Sequence, residues 1–451
     1  MGTPSRRSGV VLGVDIGSTN LKVVALDVEG RIVARVRRPT PRASDDPSID
    51  VLALFDVLEE LVLEACGSRF AAEAVCAAGV GEDGALVDRS RQPLDHALAW
   101  FDPRRGALLQ EITPGLAPSD GIGVATDAAR TLVGWAWARR RPGAERADMW
   151  LALTDFASCR WSGRDFLSDT LAARTAAWRT ASRTWDDGRV AATLGSPDLL
   201  PPVVRAGQVV GELRSARLRE AGVLAPGAVV VAGGHDHPVG SWGVDRLSPG
   251  SIVDSMGTAE VVVTQARSAE AIAGARIDTA PAIRGEGLTL LRVEELARNV
   301  AWASQDPAVG DALRNLIAGT LTPDEHVHST AFLPGAAGGA RPRYAKDAPA
   351  DPVSRASAVL GALAALGGEA IRDIAAHLPS AVPVYAAGGW ARSRGWVDIK
   401  RLVTGETVDV ITEPEVTATG AALLAATAIG RRIDAGAALA PSPAVGLRTP
   451  R

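Results

Sequence analysis

The stretch GVDIGSTNLKVVALD, residues 13–27, runs from apolar residues into Asp15, turns through Gly17-Ser18-Thr19 and resumes as a valine-rich run. That pattern reads as strand, tight turn, strand. With the Glu29-Gly30 turn and IVARVRR beyond it, the segment is an antiparallel meander rather than a strand feeding a helix. The device returns at 250–266 as GSIVDSMGTAEVVVTQA, where Asp254-Ser-Met-Gly257-Thr258 stands as Asp15-Ile-Gly17-Ser18-Thr19 stands in the first. One copy is commonplace. Two, roughly half a chain apart, imply a duplicated domain with a cleft between the copies.

Around these two segments, residues 51–66 carry apolar side chains at helical spacing, a strand is expected at 74–80, and LVDRSRQPL reads as a hairpin with a polar turn. In the second half, VPVYAAGGWARSRGWVDIKRLVTG reads as strand, glycine turn and helix, and EVTATGAALLAATAIG as a helix of small residues. The Pro/Gly/Ala-rich stretch 334–352 is expected to be a surface loop and the tail from 435 irregular. A chain of 451 residues is too long for one core, and 47% hydrophobic with 22% charged residues is a folded, globular composition. A net charge of −4 offers no electrostatic attraction to nucleic acid or to an anionic membrane. Cys66, Cys76 and Cys159 are scattered and odd in number, as expected of reduced thiols in the cytoplasm. No apolar stretch approaches a membrane span.

Several segments carry potential chemistry. Turns with free N–H groups and hydroxyls bind anions, and Asp15 at the mouth of the first suits a hydrated Mg²⁺. GVGEDG (79–84) spells a dinucleotide fingerprint with Asp102 downstream, but it leads into ALVDRSRQPL, a strand and turn, so there is no helix N-terminus to meet a pyrophosphate. Its Glu82 and Asp83 instead sit at a strand end where a polyol would be held. AAGGWARSRGW allows close backbone approach to a ligand ahead of a helix. In GGHDHPVG, Asp236 lies between His235 and His237. Three readings stand: a catalytic carboxylate, a cap for a helix begun by Pro238, or, with His326 and His328, a zinc site.

These blocks, in this order, resemble the FGGY carbohydrate kinases of the actin-like, sugar-kinase and chaperone ATPase superfamily. DIGSTNLK is similar to the first phosphate motif, AGGHDHPVG to the catalytic-aspartate motif and DSMGTAEVV to the second phosphate motif. AAGGWARSRGWVDIKRLVTG is similar to the adenosine motif and EVTATGAALLA to the connector helix, with supporting matches at ALAWFDPR, SDTLAARTAAW and FLPG…ARPR. The resemblance implies an α/β chain of two ribonuclease H-like (actin-like ATPase) domains, 8–247 and 248–435, with the active site in the interdomain cleft. It implies ATP and Mg²⁺, and Asp236 as general base. Asp15 would help hold the metal. Ser18, Thr19, Lys22 and Thr258 would contact phosphates, and Gly388, Gly389 and Ser393 the adenosine. Glu82, Asp83, Trp100, Asp102 and Asp236 would contact the acceptor. Two acidic side chains favour a neutral ketose or polyol over a sugar acid. The partners expected are that acceptor and ATP, not nucleic acid or membrane, and a homodimer is allowed. The segment Val263–Phe332 is short and departs from the pattern. A non-catalytic sugar and nucleotide sensor and a zinc hydrolase are the alternatives from other classes.

Overall fold

The opening motif folds as β1 (Ser8–Ile16) and β2 (Asn20–Leu26), antiparallel, with Asp15 directly opposite Lys22. This is a computed structural model, and it describes residues 7–44, 46–267, 276–336 and 341–442. β3 (Ile32–Pro39) continues the meander, and β4 (Phe70–Gly79) lies parallel to β1 on its other side. Two later strands, β5 (Val209–Glu212) and β6 (Leu224–His235), complete a six-stranded sheet in the order β5-β6-β4-β1-β2-β3.

The second half repeats this plan. β7 (Ile252–Met256) and β8 (Ala259–Ala266) are antiparallel, and β9 (Asp278–Pro281) and β10 (Leu288–Glu295) extend that side. β11 (Val384–Ala387) is parallel to β7, followed outward by β12 (Asp409–Ile411) and β13 (Pro441–Ser442). β1 and β7 thus hold the same place: a hairpin partner on one side, a parallel strand on the other. The expected duplication is a duplication of topology.

Helices cover the sheets. α1 (Val51–Cys66) starts where Asp50 accepts from the N–H groups of Leu52 and Ala53. α2 (Leu153–Ser162) packs on β6 and β4, and α3 (Asp236–Asp245) leaves the end of β6. In the second half, α4 (Pro352–Ala375), α5 (Arg394–Thr404) and α6 (Val416–Ala428) follow. Residues 418–426 of α6 are all buried, as a helix apolar on every side must be. α6 belongs to the second half in sequence but packs against β1. A Cβ on Gly13 would lie 1.8 Å from the Ala418 carbonyl, and one on Gly243 of α3 would lie 2.8 Å from the Gly420 Cα. Small residues let these backbones touch, and one apolar cluster (Val11, Val231, Val253, Val263, Ala422) runs through both sheets.

Two expectations need adjustment. The tail is regular at first, with a helical turn at Ala435–Leu439 and β13 pairing with β12, while residues 443–451 lie outside the described residues. The expected loop 334–352 includes the short strand Arg343–Tyr344, and its residues 337–340 lie outside the described residues. Among the described residues no helix is long and apolar enough to cross a membrane.

One buried group in α2 makes stability depend on pH. Asp155 is 1% exposed and accepts from the Ser168 N–H at 2.6 Å and the Ser168 hydroxyl at 2.8 Å. Burial outweighs these bonds and pushes its carboxyl up to about 7. Because the folded state holds this proton more tightly than the unfolded chain, the stabilisation is present in acid and lost as pH rises through about 7. Asp155→Asn is therefore expected to flatten the fall of melting temperature between about pH 4 and about pH 7, by roughly several degrees. A parallel fall in both proteins would show that Asp155 stays ionised.

Candidate active site

The first turn is tied down at its backbone, not through its hydroxyls. The Gly17 N–H donates to the Asn20 carbonyl, the Thr40 hydroxyl to the Gly17 carbonyl at 2.7 Å, and the Arg42 guanidinium to the Ser18 carbonyl. Thr19 is exposed and Ser18 half-buried, so both hydroxyls remain accessible.

Beside this turn, Lys22 bridges two carboxylates, Asp15 at 3.1 Å and Glu415 at 2.8 Å. Burial alone would lower the lysine's pKa, but the two carboxylates more than offset it and hold it above its ordinary value. Asp15 is 7% exposed, and burial raises its carboxyl to about 6 against the pull of Lys22, with the charge of Asp236 pushing the same way as burial. Glu415 comes from the residue before α6 and was not among the sequence candidates.

Asp236 opens α3, and His235, not Asp236, occupies the capping position, with no side-chain capping bond. The cap reading is thus replaced: the carboxylate lies in the first turn, where the helix N-terminus favours negative charge. The His237 N–H donates to Asp236 Oδ1 at 2.7 Å, and His235 Nε2 lies 3.1 Å from the same oxygen. Burial, then the neighbouring Arg174 charge, holds His235 well below its ordinary pKa, so its imidazole is neutral. Burial also raises the pKa of Asp236. Backbone makes this packing possible: a Cβ on Gly81 would lie 2.8 Å from the His235 ring, and Gly234 takes φ +152 where a Cβ would strike the Thr170 hydroxyl.

The acceptor candidates have been sorted by partners the sequence did not display. Glu82 is bound by Arg174, Nη2 to Oε1 at 2.6 Å. Arg174 also reaches Asp278 at 2.7 Å, and Arg130 meets the same Asp278 at 3.0 Å. Asp278 lies on β9, so the poorly matching segment reaches across to the first half. Asp102 is held by Arg104 through Oδ2 at 2.7 Å and Oδ1 at 2.9 Å, bonds that outweigh its burial and lower its carboxyl. Trp100 is half-buried, edge-on to the exposed Phe101 at 5.5 Å. Asp83 differs from the others. It is fully covered in this conformation, neither carboxylate oxygen has a hydrogen-bond partner among the described residues, and the Arg105 guanidinium stands 3.6 Å away. Burial pushes its carboxyl up to about 7. Arg105 spends its donors on carbonyls of Leu98, Ala99 and Arg130.

In the second half, Thr258 is exposed at the β7–β8 turn, and open space surrounds the Cα of Gly257. Gly388 takes φ +88 at the end of β11, a conformation suited to glycine, and Gly389 precedes a single turn, Trp390–Arg392, that leads to Ser393 at the start of α5. A Cβ at Gly388 would lie 2.4 Å from the Met256 carbonyl, so this glycine turn lies against the second phosphate turn. His326 and His328 sit on a turn packed against α4. Among the described residues no group of three or more His, Cys, Asp or Glu side chains is placed to hold a metal ion.

Residues 10–243 match the FGGY family of carbohydrate kinases, N-terminal domain. Xylulose kinase of Streptomyces rubiginosus is 30% identical over 441 residues, covering 92% of this chain and 87% of that protein. Xylulose kinase of Streptomyces coelicolor is 28% identical over 437 residues, with the same coverage of 92% and 87%. The crystal structure of xylulose kinase from Rhodospirillum rubrum superposes with a TM-score of 0.82 at 20% identity, covering 97% of this chain and 93% of that one. The fold is therefore the two-domain, actin-like fold.

Proposed function

The chain belongs to the FGGY family of carbohydrate kinases and is itself a carbohydrate kinase, and from that premise we propose that it transfers the terminal phosphoryl group of ATP to a hydroxyl of a neutral ketose, a pentulose of the xylulose type foremost. Residues 8–247 form the acceptor lobe with the base, and 248–435 the nucleotide lobe. The reaction takes place in the cytoplasm, in keeping with the three free, buried cysteines.

One observation carries this reading: Asp236 lies within electrostatic reach of Asp15 at the first phosphate turn and of the Glu82–Arg174 pair in the acceptor segment. A base there stands between donor and acceptor. The contacts from His235 and His237 converge on Oδ1, which leaves Oδ2 to take the proton of the attacking hydroxyl. A carboxylate made more basic by burial suits that role. The positive end of α3 and the neutral His235 keep it oriented without adding a competing acid.

Lys22, held charged by Asp15 and Glu415, meets the ATP phosphates with the Ser18, Thr19 and Thr258 hydroxyls. Gly388, Gly389 and Ser393 receive the adenosine. Asp15 fits Mg²⁺: it is a hard oxygen donor whose charge is raised in energy by burial and by Asp236, and Mg²⁺ typically takes one or two carboxylates with water and phosphate oxygens. When bound, the metal neutralises charge developing on the phosphates.

For the acceptor, Glu82 is neutralised by Arg174, and Asp102 by Arg104. Asp83 alone of the three makes no hydrogen bond to its arginine, which stands 3.6 Å away, and its oxygens suit hydroxyl groups. ADP release with Mg²⁺ and a panel of pentuloses, hexuloses and polyols tests this. At least one neutral ketose is expected to raise the rate about 10²-fold or more over the acceptor-free rate, within the contribution of a positioned base. Nucleotide and sugar binding with no acceptor-dependent ADP release would make the protein a sensor. Bound zinc lost together with activity would favour a hydrolase.

A further inference from the structure

The chain has three lysines, Lys22, Lys346 and Lys400, and uses arginine elsewhere. Two of the three are clamped between a pair of acids beside a phosphate turn. Lys22 does so at the first turn, half-exposed. Lys400 does so behind the second, where it is 3% exposed. Its ammonium meets Asp254 and, at 2.5 Å, Glu260. Both acids are fully covered. Asp254 lies near the end of β7 as Asp15 lies near the end of β1, but one residue further from the turn glycine, and it pairs with a buried lysine from α5.

Burying a lysine and two acids is costly, and an apolar trio of similar volume would be at least as stable. Burial and the Asp254 charge raise the Glu260 carboxyl to about 8, so the cluster holds one ammonium, one carboxylate and one neutral carboxyl, balanced in charge. Space has been cleared for it, since a Cβ on Gly367 of α4 would lie 1.8 Å from Glu260 Oε1. What the cluster spans is the link between two turns. Asp254 lies on β7, which runs into Gly257-Thr258, Glu260 lies at the start of β8 just after it, and Lys400 comes from α5, whose start carries Ser393. Trp396, one turn earlier on α5, donates its indole N–H to Met256 Sδ at 2.9 Å, and Gly388 lies against the Met256 carbonyl.

We propose that Lys400 is a positioning residue for the nucleotide: by bridging Asp254 and Glu260 it locks the second phosphate turn to the glycine turn at Gly388–Ser393. The proposal rests on the reading of those two turns as the grip on ATP. A compact ammonium on a flexible stem can sit between two acids from adjacent strands, whereas a planar guanidinium needs more room and a fixed fork.

The test measures ATP binding by calorimetry without acceptor, together with KM for ATP and for the sugar. Lys400→Met is expected to weaken ATP about tenfold in both Kd and KM while the sugar KM stays within about twofold. Adding Asp254→Asn to that variant restores charge balance, because the Glu260 carboxyl is held neutral, and the introduced amide donates to Glu260. Recovery of ATP affinity to within about threefold of wild type is expected. Lys400→Arg keeps the charge in a bulkier group, and so remains informative where Lys400→Met fails to fold. It is expected to weaken ATP selectively as well. Unchanged ATP affinity in Lys400→Met or Lys400→Arg overturns the proposal. So does a fall in melting temperature with both substrates affected alike and no recovery in the double variant, which marks a packing role. Wild-type protein that binds no ATP overturns the nucleotide-lobe reading itself, a result distinct from either.

Discussion

Asp236→Asn is expected to lower sugar-dependent turnover by about 10²–10⁴-fold and to leave the KM for ATP nearly unchanged. The amide is nearly isosteric, and its oxygen can still accept from the His237 N–H, so the start of α3 is preserved. What is lost is the oxygen able to take a proton. A phosphoryl acceptor that keeps its proton until late in the transfer is a poor nucleophile, and a positioned base supplies the difference. Steady-state kinetics with saturating ATP and a melting curve check the outcome. A folded Asp236→Asn protein with turnover within a few-fold of wild type removes Asp236 from the role of base.

The second large effect falls on Asp83. Asp83→Ala is expected to reduce kcat/KM for the sugar by about ten- to a hundredfold, the loss of one or two charge-assisted hydrogen bonds, while KM for ATP barely moves. Its carboxylate is fully covered, so contact with an acceptor requires the side chains over it to move. A carboxyl buried without a hydrogen-bond partner, its pKa pushed up to about 7, burdens the fold. Arg105 donates to carbonyls, but it is itself buried and Asp83 at 3.6 Å supplies it with a counter-charge. Asp83→Ala removes that burden but also the counter-charge of Arg105, two opposed effects on melting temperature, so an acceptor role and a structural one are separated by the kinetics of the folded variant. A lower melting temperature with both substrates weakened makes Asp83 structural. A stable variant with unchanged sugar kinetics leaves Trp100 and the Glu82–Arg174 pair to read the acceptor.

Both predictions begin from residues visible in the sequence and take their sharp form from partners that were not. Asp236 stood out because a glycine pair and a helix start frame it within seven residues. Glu82, Asp83 and Asp102 looked alike as acidic residues of one segment. Folded, Glu82 is paired through Arg174, ninety-two positions away, and Asp102 through Arg104, two positions away, while Asp83 is left with Arg105 at 3.6 Å. Arg174 lay inside SDTLAARTAAW, a block whose order supported the family resemblance, but nothing local indicates that its guanidinium faces Glu82 and Asp278. Glu415 carried a weaker signal, as the residue just ahead of the small-residue helix.

What the sequence determined by itself is what short-range physics encodes. Alternating apolar residues, a Gly/Ser/Thr turn and a second valine-rich run define a hairpin wherever they occur, and their recurrence at 250–266 declared the duplicated plan before any sheet was seen. The segment 416–428 was likewise legible as a helix of small residues, and the fold shows it buried on every side, as a helix with no polar face must be. Tertiary structure alone decided the electrostatics. It placed Lys22 between Asp15 and Glu415, buried Lys400 between Asp254 and Glu260, held His235 neutral beside Asp236 and buried Asp83 with only Arg105 for a partner. A charge is governed by how deeply it is buried and by every other charge within several ångströms, and those neighbours come from segments hundreds of residues apart.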